Sequence, residues 1–164
     1  MNGRRARIVG SAVALFLLMA ACSDNGSSER LSKAEFISKA DKICQSANQK
    51  TAELGTPTST DPEALAKFLG KSGQIIADAV GQLERLEPPK ADEQKINEMV
   101  GGLQKSASFF PALIEAVRAN DREKIQQVAV QLQQASQQGG QIAQTYGFQV
   151  CAQVAPSNTA TPTP

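Results

Sequence analysis

The amino-acid sequence predicts an all-α protein, an up-down four-helix bundle whose C-terminal segment folds back onto the first helix and is disulfide-linked to it. Three observations carry this. Apolar residues recur at intervals of three and four along four successive stretches, and nowhere with the period-two alternation of a half-buried strand. Cap residues, glycines and prolines punctuate those stretches. Two cysteines far apart in the chain, Cys44 and Cys151, are the thiols left once Cys22 is assigned to a lipid. A chain of 164 residues is long enough for one core and too short for two comfortable ones.

The first helix opens on a capping box of Ser32 and Glu35, with Leu31 and Phe36 as its hydrophobic staple. Phe36, Ile37, Ala40, Ile43, Cys44, Ala47, Thr51 and Leu54 form its apolar stripe, and Gly55 stops it. Asp61 and Pro62 open the second helix as N-cap and first helical residue. Leu65, Phe68, Leu69, Ile75, Ile76, Ala79, Val80, Leu83 and Leu86 make its stripe, and Pro88 and Pro89 end it. The third helix carries Ile96, Met99, Val100, Leu103, Ala107, Phe110, Leu113, Ile114 and Val117. Pro111 lies inside it, removes the bond to the carbonyl of Ala107, and is expected to kink or split it near Phe109 and Phe110. The fourth, capped by Asp121, carries Ile125, Val128, Ala129, Leu132, Ala135, Ile142 and Tyr146. Nine glutamines between Gln126 and Gln144 give it an uncharged solvated face.

The N-terminus has the make-up of an export signal. Arg4, Arg5 and Arg7 precede an apolar run of about 14 residues, short of the roughly 20 that span a bilayer, and polar residues follow at once. Leu18, Met19, Ala20, Ala21 and Cys22 resemble a bacterial lipobox, in which small residues before the cut admit a lipoprotein signal peptidase and the cysteine accepts diacylglycerol. Met19 stands where Leu is more usual. The expected organisation is a signal peptide at 1–21, a lipidated flexible tether at 22–30, a helical domain at 31–154, and a disordered Pro/Thr tail at 155–164. Acyl chains such as palmitate contribute roughly 0.8 kcal/mol per buried methylene, so two or more anchor stably. The expected location is the outer side of a cell membrane.

In an exported chain Cys44 and Cys151 are expected to pair. The loop closed is about 107 residues, for which the chain-entropy model gives roughly 4 to 5 kcal/mol. Cys44 lies roughly 18 Å above the start of its helix, so residues 147–151 are expected to climb the bundle in extended form, burying Phe148 and Val150. Asp41 and Asn48 flank Cys44 and are placed to satisfy backbone groups of that segment. Antiparallel pairing brings Gly73, Gly102 and Gly139 to one level. Glycine inside a helix costs about 1 kcal/mol against alanine, so these sites are expected to let helices close up or to admit the returning segment. The alternative is an apolar cavity lined by Gly73, Gly102, Phe110, Pro111 and Gly139.

Phe36, Ile37, Lys39, Ala40, Asp41, Ile43, Cys44 and Asn48, with Tyr146, Gly147, Phe148 and Cys151, resemble the paired signatures of small secreted and lipid-anchored helical proteins of actinobacteria. The likeness covers residues 31–151. It implies the Cys44 to Cys151 bridge and an envelope location, and carries no known activity.

Composition excludes several function classes. The chain has no His and no Trp, and Tyr146 is its one tyrosine. The usual general base and the commonest metal ligand are missing, so haem and di-iron bundles lack ligands. There is no nucleophile elbow and no phosphate-cradling loop. Three of the 17 basic residues precede the expected cut, leaving 14 against 16 acidic ones, a balance unlike that of a nucleic-acid surface. The expectation is a non-catalytic binding or scaffolding module of the envelope with no cofactor, displaying its Gln-rich face to a protein or wall component. The alternative is a carrier or sensor of an apolar small molecule or lipid.

Overall fold

The computed structural model describes residues 30–153. The expected signal peptide at 1–21, the expected lipid acceptor Cys22, the expected tether up to residue 29, and Val154 with the expected tail at 155–164 lie outside the described residues.

The described chain is all-helical, with four helical arms and the third broken in two. They are α1 (Lys33–Leu54), α2 (Pro62–Leu83), α3 (Glu93–Ser108), α4 (Phe110–Arg118) and α5 (Arg122–Tyr146). The caps form as the sequence requires. Ser32 and Glu35 close both halves of the capping box on α1, while Asp61 accepts from the Ala64 amide at 2.8 Å and Asp121 from the Lys124 amide at 2.9 Å. The break falls where Pro111 demands it. Phe109 leaves the α-helical ladder, its amide donating to Ser106 O at 3.3 Å, and α4 restarts with Pro111 in its first turn, where a missing N–H costs nothing.

Phe36, Ala40, Val80, Leu83, Ile96, Met99, Val100, Ala143, Tyr146 and Phe148 form the main core. The bundle is not a closed ring. At backbone distance α1 approaches α2 but neither α3 nor α5. Its link to α5 is made by side chains and by the returning segment: the Phe36 ring stands edge-on to Tyr146 at 6.4 Å and against Phe148 at 6.0 Å, and Cys44 is bonded to Cys151.

That segment differs from the extended climb the sequence predicts. Gly147 takes the left-handed conformation at φ 112°, closing α5 and reversing the chain. Residues 148–152 then run as bends and a turn, with the Gln153 amide on Val150 O at 3.0 Å. The cause is Asp41, whose carboxylate accepts the amides of Gln149 (2.9 Å), Val150 (3.0 Å) and Cys151 (2.9 Å). An extended run would offer such amides no common acceptor; curled around one carboxylate, all three are satisfied. Phe148 is buried as expected, Val150 only half-buried, and Asn48 is exposed and takes no part.

The chain enters at the same pole. Leu31 donates its amide to Glu87 O at 3.1 Å, and Arg30 binds Pro88 O at 3.2 Å and the Glu93 carboxylate at 3.0 Å. At the opposite pole Arg118 grips the Glu63 carboxylate with two bonds of 3.0 and 3.2 Å, tying the end of α4 to the start of α2. That pairing holds the exposed Glu63 carboxyl below its usual range.

Candidate functional site

The last helix, about 37 Å long, has two unlike sides. Val128, Ala135, Gly139, Gly140, Ala143 and Tyr146 face the core. On the opposite side Glu123, Gln126, Val130, Gln133, Gln137, Gln141 and Gln144 follow one another at three- and four-residue spacing, and all are exposed. Val130 is the one large hydrophobic side chain exposed among the described residues, at 47 %. With Glu123, Gln126, Gln127 and Gln131 it lines an open depression of about 400 Å³.

From Ile125 to Gln153 the chain contains no Asp, Glu, Lys or Arg. Beyond Glu123 the face therefore holds no ion pairs and exerts little long-range steering. Each glutamine amide offers two donors and an acceptor at the end of a flexible stem, so the face bonds in either sense and adapts its geometry.

The residues that would line an apolar cavity are brought together in pairs, and protein takes the space in each. A Cβ on Gly73 would lie 2.9 Å from the Phe110 ring, so that glycine seats the phenylalanine, which is 8 % exposed. A Cβ on Gly102 would lie 3.3 Å from the Gly139 backbone, so the pair lets α3 and α5 close up. Pro111 is exposed. The returning segment packs along α1 at Ala40, Asp41 and Cys44 and is not among the nearest neighbours of these glycines. A second depression, of about 280 Å³ and lined by Leu83, Leu86, Ile96, Val100 and Gly101 among others, lies between α2 and α3, with Gln104 bonded to Glu84 at its rim.

Sequence reasoning missed three features. Val130 falls out of phase with the stripe of Val128, Leu132 and Ala135, a signal legible in the sequence. The Tyr146 hydroxyl donates to Asp92 at 2.8 Å while Lys33 stands 4.3 Å over the ring; nothing local marks partners so far apart. Burial, then the bond to Asp92, push the Tyr146 phenol well above its ordinary value. The clamp of Arg30 on Pro88 and Glu93 was equally hidden.

Among the described residues no group of three or more His, Cys, Asp or Glu side chains is placed to hold a metal ion, and no helix is long and apolar enough to cross a membrane. Comparison with protein families, with curated proteins and with solved structures finds no match.

Proposed function

We propose that this chain is a lipid-anchored protein of the cell envelope, tethered through Cys22, and that its helical domain is a non-catalytic module binding a protein through the outer face of α5. The observation that carries this is the pairing of an amide-covered helix face, uncharged beyond Glu123 at its start, with the exposed Val130. A protein partner fits that chemistry better than a glycan, because the face has no aromatic ring for a sugar to stack on. An apolar centre within a polar rim is the layout of a protein contact. Such binding is insensitive to salt.

Two experiments test the parts separately. Incorporation of a labelled fatty acid that disappears in Cys22→Ala supports the anchor; equal labelling of both chains contradicts it. For the face, a Val130→Glu, Gln137→Glu chain leaves the exposed helix folded and puts charge where the wild type has none. Loss of a partner recovered with the wild type, at unchanged thermal stability, supports docking there; full retention contradicts it.

A further inference from the structure

The connection between α1 and α2 carries Thr56, Pro57, Thr58, Ser59 and Thr60, all exposed and all outside helical backbone. The hydroxyls of Thr56, Thr58 and Thr60 make no hydrogen bond among the described residues. Several helical hydroxyls are engaged by contrast: those of Thr51, Ser72, Ser106 and Thr145 donate to carbonyls of their own helices at 2.9 to 3.0 Å. Ser59 is also engaged, accepting the Asp61 amide at 3.1 Å. Pro57 fixes its own φ and pushes Thr56 toward extended backbone, so the segment is held open without secondary structure. Ser38 and Ser46 are exposed too, but on helical backbone, which a groove built for an extended peptide does not accept. A cluster of hydroxyls interleaved with proline on a loop tip is the composition and setting of O-linked sugar attachment.

We infer that residues 56–60 are a glycosylation site, with Thr56, Thr58 and Thr60 as acceptors and an activated sugar phosphate as donor. In the transfer the threonine Oγ1 attacks the anomeric carbon, the bond from that carbon to the phosphate oxygen breaks, and the phosphate leaves with the electron pair. The hydroxyl proton passes to a base of the transferase, and nothing is oxidised or reduced. The loop sits at the end of α1 away from Arg30, about 33 Å along the helix from where the tether enters. At that pole the Glu63–Arg118 pair ties the start of α2 to the end of α4. Sugars there coat the pole opposite Arg30 with solvated bulk and guard an otherwise open loop from proteolysis.

The test uses the full chain from its natural producer, digested with trypsin, which releases residues 51–67 as one peptide. Fragmentation that preserves the glycosidic bond is expected to show whole sugar residues on Thr56, Thr58 or Thr60. A Thr56→Ala, Thr58→Ala, Thr60→Ala chain is expected to lose that mass completely and to unfold at the same temperature, because the three side chains bond nothing. A bare 51–67 peptide overturns the inference, also when sugar is found on the C-terminal peptide 125–164; so does a triple variant that keeps the added mass. Glycosylation here rests on the proposed export, and the N-terminal peptide separates the two. Acylated Cys22 with a bare loop overturns the glycan alone, a sugar-bearing loop without acylation overturns the anchor alone, and a chain with neither overturns both.

Discussion

Replacing Asp41 by Ala removes the acceptor of three amides at once. A hydrogen bond to a charged group contributes about 1.5 to 3 kcal/mol net, so three would total well above the loss expected here. Two facts lower it: Gln149 is exposed and its amide rehydrates, while Val150 and Cys151 are half-buried and theirs do not do so freely. Two amides at the lower figure give about 3 kcal/mol, which for a domain of this size lowers the thermal midpoint by about 10 °C. Asp41→Asn keeps one acceptor oxygen and is expected to lose about half as much. The assay is thermal unfolding of the oxidised soluble chain followed by helical circular dichroism. If Asp41 and the disulfide hold one segment, their effects couple. Cys151→Ser alone is expected to cost about 2 to 4 kcal/mol, and Asp41→Ala made in that background to cost clearly less than in the wild type. A loss below about 0.5 kcal/mol for Asp41→Ala, or strict additivity of the two changes, refutes the clasp.

Adjacent glycines are expected to respond in opposite directions. Nothing lies within 4 Å of a Cβ added at Gly101, so Gly101→Ala gains helix propensity of about 0.5 to 1 kcal/mol, whereas Gly102→Ala presses on the Gly139 backbone and loses about 1 to 3 kcal/mol; denaturant midpoints read both. Equal responses contradict the close α3–α5 approach. The single tyrosine makes a pH test specific, because every phenolate signal in the ultraviolet comes from Tyr146. Its folded value is raised above the ordinary 10.0, so the folded state favours the protonated phenol. That contribution is complete below about pH 10 and is lost as the pH rises through the folded-state value. Phenolate absorbance is therefore expected to appear together with loss of helix in alkali; an ordinary titration in the folded chain contradicts the buried bond to Asp92.

Most of the helical frame was legible because its causes are local. Ser32, Asp61 and Asp121 cap helices through side chains three residues from their targets, and Pro111 breaks the third arm by lacking an N–H, so spacing alone locates them. The Cys44 to Cys151 bridge was legible from the scarcity of thiols. The shape of the returning segment was not, because it depends on whether amides at 149–151 meet a helix surface or a single carboxylate, and only the three-dimensional placement of Asp41 decides that. Glycines were informative about close approach but not about which neighbour approaches: Gly102 met Gly139 as the level argument required, while Gly73 met a phenylalanine ring. The open ring of helices, with α1 joined to α5 through Phe36, Phe148 and the disulfide, had no periodic signature at all.

The proposed docking of a protein on the outer face of α5, outside the cytoplasm, requires a neighbour at Val130 in the cell. It is tested most directly by placing a photo-crosslinking residue at Val130 in the anchored full-length chain in living cells, with Lys50 on the exposed end of α1 as the control position. The expected result is one discrete crosslinked protein species at Val130, absent at Lys50 and diminished by Gln137→Glu. Equal crosslinking at the two positions, or no protein adduct at Val130, would contradict the proposal.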